Sequence, residues 1–240
     1  MDHFLRVYRQ QAAQYHALIA AEDADGNLPR AFEAITPLAG RRVLDLGSGT
    51  GRIPLLLAGT GCRIVAAELQ RAMLAEQTRQ MERANGDWRL AQADIRSLPL
   101  ARGWADIVIA GWAIGHFTGW YGDGWKEAAA RALDEMQRAA ADGGTLIILE
   151  TLGTGVLRPG TPTAGLAAYY RWLEQERGYT RQVISTEYQF ESVEQAAELC
   201  GFFFGAEMAA LVRANAWARV PEWTGIWHFT PGSTPNAAPT

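Results

Sequence analysis

From residue 3 to 21, Phe4, Tyr8, Ala12, Tyr15, Leu18 and Ile19 recur at helical spacing, which predicts one amphipathic helix. The turn EDADGN follows, then a helix near 28–38 with Pro29 in its first turn and Pro37 at its end. Five rounds of short apolar run, turn and helical pattern come next, with runs at 42–46, 63–68, 88–92, 105–110 and 145–150. These runs are near-continuous rather than alternating, as in strands buried on both faces of a parallel sheet. Helical stretches at 52–59, 70–84 and 124–141 sit between most of them, the last behind a candidate Asp123 cap. Such alternation predicts a doubly wound, Rossmann-like α/β sheet.

Past residue 151 the pattern changes. TLGTGVLRPGTPT reads as a long loop, 164–177 as a helix with Gly178 as its C-cap, and 183–190 as a strand. Ser192 and Gln195 form a capping box that opens a helix stopping at Gly201. A helix at 206–215, a final strand at 223–229 and a disordered tail at 231–240 complete the chain. No internal repeat is found, so one domain with helical additions is expected.

Composition narrows the function. A chain of 240 residues is long enough to bury a sizeable single core. The net charge is −4 and no run of Lys and Arg occurs, which disfavours nucleic acid as a partner. Cys62 and Cys200 match no metal-ligand spacing, and so few cysteines suit a reducing cytoplasm. The first residues lack an apolar h-region, and no 18-residue apolar run occurs, so a soluble, cytoplasmic protein without membrane contact is expected.

The segment VLDLGSGTGR, residues 43–52, carries the most chemistry. Gly47, Gly49 and Gly51 end a strand and open a helix, where missing side chains let a ligand approach the backbone. Their spacing is G-x-G-x-G, whereas a dinucleotide fingerprint needs G-x-G-x-x-G, which counts against a nicotinamide dehydrogenase. The second strand ends in Glu68, whose two acceptor oxygens match the vicinal diol of a ribose. The third runs into Asp94, placed to accept from an adenine amino group. A lone carboxylate at a strand end is more often a helix cap; here three ligand-type features fall at the carboxyl ends of successive strands.

VLDLGSGTGR, AAELQRAML (66–74) and AQADIRSLP (91–99) together resemble the S-adenosylmethionine-dependent class I methyltransferases over roughly residues 40–150. The resemblance implies a seven-stranded, mostly parallel sheet with the last strand antiparallel, and S-adenosylmethionine as cofactor. It implies that Asp45, Gly47, Ser48, Gly49 and Gly51 face the methionine part and Glu68 the ribose. Leu69 would lie beside the adenine, Asp94 and Ile95 at its edge, and Ala110 and Gly111 near the cofactor's amino group. The chain then divides into an N-terminal helical cap (1–38), a cofactor-binding core (40–151), a cap insertion (152–178), and C-terminal strands and helices (179–230).

The expected reaction is in-line methyl transfer to a small-molecule acceptor; the alternative is a cofactor-binding regulatory or partner protein without transfer activity. His116 is the base candidate among four histidines, being near a ligand-facing strand end, and Glu150 is a second candidate. Packing of a short helix by His116 and anchoring of a loop by Glu150 are the competing structural roles. Tyr8, Tyr15, Trp112, Trp120, Tyr169 and Tyr170 offer an aromatic lining for a small apolar or cationic acceptor. Core packing and lid-to-body contact are expected for at least half of these rings taken together with Tyr121, Trp125 and Trp172. Residues 1–21 and 152–178 are expected to form a lid. No cluster of metal-ligating residues occurs, and the D/N-P-P-Y/F signature of nucleobase and protein-amide methylation is absent. Acceptor identity, the methylated element and the oligomeric state are left open by the sequence.

Overall fold

The computed structural model describes residues 2–231. Its core is a sheet built from β1 (Arg42–Leu46), β2 (Arg63–Glu68), β3 (Arg89–Gln92), β4 (Ala105–Gly111), β5 (Ala140–Thr154), β6 (Thr180–Ser185) and a late strand, Glu222–Phe229. Two short strands between the last two, β7 (Tyr188–Gln189) and β8 (Arg219–Val220), pair only with each other, so the late strand is β9. The sheet order is β3-β2-β1-β4-β5-β9-β6, with β9 antiparallel to both neighbours and β1 to β5 parallel. The seven strands and the antiparallel last one match the expected architecture.

Successive side chains of these strands enter opposite cores, as a period of two requires. Leu44, Leu46, Val108, Ala110, Leu146 and Ile148 pack on one face against α7 (Trp125–Ala139) and α8 (Ala164–Gln175). Val43, Ile107, Ile109, Ile147 and Leu149 pack on the other against α3 (Asn27–Ile35), α4 (Arg52–Leu57) and part of α5 (Arg71–Arg83). A third cluster joins Leu18 to Tyr188, Phe190, Cys200 and Val212. It ties the N-terminal helices to α9 (Val193–Phe204) and α10 (Ala206–Ala214).

Several expected boundaries move. The N-terminal helix is two, α1 (His3–Gln10) and α2 (Ala12–Ile19), broken at Gln11 with φ −131°. Nothing marks this break in sequence, since neither Gly nor Pro is present. The run 183–190 divides at Thr186, whose N–H still reaches Glu222 O, before Tyr188 and Gln189 leave to pair with β8. Helix α9 continues through Gly201 to Phe204; a Cβ at Gly201 would meet Ala209 Cβ at 2.8 Å, so the bare backbone is where α10 crosses. Gly124, not Asp123, is the N-cap of α7, and Glu176, not Gly178, is the C-cap of α8. Strand β5 runs on to Thr154, through the start of the expected loop.

No residue of the 152–178 segment lines the cavity described below. Its helix, α8, buries Tyr169, Tyr170, Trp172 and Leu173 in the sheet core. The expected tail at 231–240 lies outside the described residues, apart from Pro231. Among the described residues, no helix is long and apolar enough to cross a membrane.

Candidate functional site

β1 sends the chain towards β2 and β3 on one side, and β4 sends it towards β5 on the other. Loops leaving the carboxyl ends of β1 and β4 therefore diverge, and a crevice opens between them. Here lies a cavity of about 320 Å³.

One half is the expected nucleotide half. The loop after β1 needs left-handed backbone at Gly47 (φ +67°) and Gly49 (φ +56°). A Cβ at Gly47 would strike Ala113 Cβ at 2.7 Å, whereas one at Gly49 would project into the cavity, no nearer than 3.8 Å to Tyr15. Glu68 accepts the Gly49 N–H at 2.9 Å on one oxygen and the Gln70 N–H at 2.7 Å on the other. The same carboxylate thus sets the loop and presents its remaining lone pairs to the cavity. Leu69, 50% exposed, forms an apolar shelf beside it with Ile95. Asp94 also lines the cavity, but both its oxygens are already taken by the Arg96 guanidinium, at 3.0 and 2.6 Å. That pair holds the Asp94 carboxyl below its ordinary range.

Asp45 and Ser48 line a side crevice that opens from the loop, and Gly111 lines both spaces. Ser48 is bonded to the Gln77 amide at 2.9 Å. Two residues expected to contact the cofactor lie off the cavity wall. Ala110 is fully buried beneath the floor, and Gly51 turns towards Gln77, which a Cβ there would strike at 2.8 Å; neither lines the cavity.

The other half is aromatic. Tyr8 and Tyr15, despite the helix break, meet edge to face at 5.4 Å. His116 stacks on Trp120 at 4.7 Å and 7°, and its Nε2 lies 3.0 Å from the Tyr8 hydroxyl. Phe4 and Phe203 stand behind these rings. The short helix α6 (Phe117–Trp120) follows His116 and carries Trp120. Trp112 lines both cavity and crevice with φ +50°, a strained conformation for a bulky side chain. Thus Tyr8, Tyr15, Trp112, His116 and Trp120 converge. Tyr169 and Tyr170 do not: they are 0% and 2% exposed, and the Tyr170 hydroxyl donates to Thr151 O at 2.7 Å. Sequence reasoning missed Arg96, His16 and Arg52; His16 is bonded to Thr50 of the glycine loop at 2.9 Å.

The two base candidates take different parts. Glu150 accepts the Gly115 N–H at 2.7 Å from behind the loop and does not line the cavity. Burial pushes its carboxyl up to about 8, which favours the protonated form at neutral pH. Its part is to position the turn that carries His116. A carboxyl raised in the folded state releases its proton first when unfolded, so stability is lost as pH rises from about 4.5 to 8. Glu150→Gln keeps an acceptor for Gly115 without that loss. Melting of the two proteins should diverge in the variant's favour by roughly 5–10 °C between pH 5 and 8. Parallel melting curves across that range would show that Glu150 is not neutral in the folded protein. His116 lines the cavity, but burial lowers its imidazole to about 4, so it is neutral at pH 7.

Residues 44–148 match the family of the methyltransferase domain. That stretch is similar to methyltransferase domains, and so are the relatives that follow. Demethylmenaquinone methyltransferase of Thermus thermophilus is 32% identical over 123 residues, 50% of this chain and 52% of that one. A malonyl-acyl-carrier-protein O-methyltransferase of Enterobacter lignolyticus is 33% identical over 105 residues, 44% of this chain and 37% of that one. The chain spans about half or less of the length of these relatives. A solved S-adenosylmethionine-dependent methyltransferase of Aquifex aeolicus has the same fold, with a TM-score of 0.54 at 13% identity, covering 90% of this chain and 97% of that one. The residues present fit an adenosyl cofactor: an open glycine cradle, the buried Glu68 carboxylate and the apolar Leu69 follow one another along the cavity wall.

Proposed function

We propose that the protein transfers the methyl group of S-adenosylmethionine to a small, flat or apolar acceptor held among Tyr8, Tyr15, Trp112, His116 and Trp120. The observation that carries this reading is one cavity in which a nucleotide half and an aromatic half face each other. Bound there, the cofactor supplies an electrophilic methyl on a sulfonium, so the protein's work is placement and exclusion of water. Glu68, Leu69 and the Gly47–Gly49 backbone would hold the adenosyl part. The rings of the aromatic half offer stacking faces, and faces of this kind also attract a cationic centre.

His116 lines the aromatic half of the cavity, with Nε2 tied to Tyr8 and its ring stacked on Trp120, which supports a role towards the acceptor. A group titrating near 4 is a poor base for an acceptor titrating near 10: the mismatch of roughly six units is about 8 kcal/mol. His116 therefore serves as a neutral hydrogen-bonding group that orients an acceptor arriving already nucleophilic. His116→Phe should lower turnover roughly 10- to 100-fold while leaving S-adenosylhomocysteine affinity within about twofold. The wild-type rate should show no inflection between pH 6 and 7.5 from this residue. Release of S-adenosylhomocysteine, followed by mass spectrometry across a panel of phenols, amines and carboxylates, tests the reading. Binding of the cofactor with no release from any acceptor would favour a protein that binds without transfer.

A further inference from the structure

Four charged side chains line the main cavity: Arg9, Glu68, Asp94 and Arg96. Three of them are already engaged. Glu68 accepts a backbone N–H on each oxygen in the nucleotide half, and Asp94 and Arg96 neutralise each other. Arg96 lies over the Phe117 and Tyr121 rings besides, at 5.8 and 5.0 Å. Arg9 differs from all three. It is exposed, and among the described residues its guanidinium has no hydrogen-bond or ion-pair partner.

Its place follows from helix α1. Leu5, Tyr8 and Arg9 are spaced i, i+3 and i+4, so they share one face of that helix, and all three line the cavity. Being both exposed and part of the lining, Arg9 stands at the mouth, one residue past Tyr8, whose hydroxyl lies 3.0 Å from His116. The aromatic half brings no carboxylate to oppose it. Asp2, at the far end of α1, accepts the Leu5 N–H at 3.2 Å and does not line the cavity. Glu150 is closed off behind Gly115. The sulfonium of the cofactor would add positive charge to the same space. A cationic acceptor would therefore meet two positive charges and no free carboxylate. A flat anion would meet the rings and one unopposed guanidinium, whose planar fork matches a carboxylate.

We infer that the acceptor is a flat or aromatic acid, with its ring among Tyr8, His116 and Trp120 and its anionic group on Arg9 at the mouth. This rests on the reading that methyl transfer takes place in this cavity, and it names the acceptor class for it.

The test uses the complex with S-adenosylhomocysteine and aromatic carboxylates of one and two rings, each beside its carboxamide and its aminomethyl counterpart. Calorimetry should show each carboxylate binding roughly 3- to 20-fold tighter than its carboxamide, with the ammonium compound weakest. Raising the salt from about 0.05 to 1 M should narrow that ratio, because the pair stands within reach of solvent. Arg9→Gln should bring the carboxylate down to its carboxamide while S-adenosylhomocysteine stays within about twofold, and Arg9→Glu should put the ammonium compound ahead. An arginine in the last turn of a helix also complements its carbonyl end. If that is all Arg9 does, Arg9→Gln lowers the melting temperature and leaves the carboxylate-to-carboxamide ratio unchanged, which overturns the inference. So does a wild type that prefers the ammonium compound, or one that binds S-adenosylhomocysteine and none of the probes. A wild type that does not bind S-adenosylhomocysteine overturns the reading of the whole cavity, and this inference with it.

Discussion

Gly49→Asp should remove measurable S-adenosylhomocysteine binding, a loss of more than about 100-fold, while the protein stays folded. The two halves of this result have separate causes. Gly49 has φ +56°, a conformation that costs most L-residues about 1–2 kcal/mol but that Asp tolerates better than most. A Cβ there meets nothing closer than Tyr15 at 3.8 Å, so the backbone keeps its place. The new side chain then occupies cavity space that the ligand needs, beside the Glu68 carboxylate that accepts the Gly49 N–H. Circular dichroism reports the fold and calorimetry the affinity. A folded variant with wild-type affinity would place the cofactor elsewhere. Gly47 would be the wrong choice for this test, because a Cβ there collides with Ala113 and disturbs the loop itself.

Glu68→Gln should weaken S-adenosylhomocysteine and methylthioadenosine alike, by roughly 5- to 150-fold, corresponding to about 1–3 kcal/mol. Gln keeps the shape but turns one oxygen into a donor. Both oxygens of Glu68 already accept a backbone N–H, from Gly49 and Gln70, so the amide must face one of them donor to donor. The variant therefore loses a ribose acceptor and loosens the glycine loop together. Loss is expected in parallel because the adenosyl thioether is what the two ligands share. Unchanged affinity for both would leave Glu68 a cap for the following helix and nothing more.

Much of this architecture is legible in the residues because burial on two faces leaves a strong mark. Runs such as Ile107–Ala110 and Leu146–Leu149 can only be interior strands, and VLDLGSGTGR fixes where the first of them ends. The nucleotide half follows, since its chemistry sits on backbone and strand-end carboxylates. The acceptor half is legible only in part. Helical spacing shows that Tyr8 and Tyr169 belong to apolar stripes, but not what covers each stripe; one faces a cavity and the other a packed core. Likewise Glu150 and Glu68 both close apolar runs in the sequence. Gly115 closes over the first, while the second stays open beside Leu69, a difference made by loops that periodicity does not describe. Arg52 is visible in the motif, yet its unpaired nitrogen exists only once Glu22 and Trp112 are brought to it from distant segments.

The central claim is that an adenosyl thioether with its amino acid, rather than a dinucleotide, fills the crevice between β1 and β4. Calorimetric titration of the wild-type protein with S-adenosylhomocysteine, and separately with NADH, tests it most directly. The account predicts saturable, one-to-one binding of S-adenosylhomocysteine and none of NADH at matched concentrations. Binding of NADH, or no heat from S-adenosylhomocysteine at any concentration that saturates a site of this kind, would contradict it.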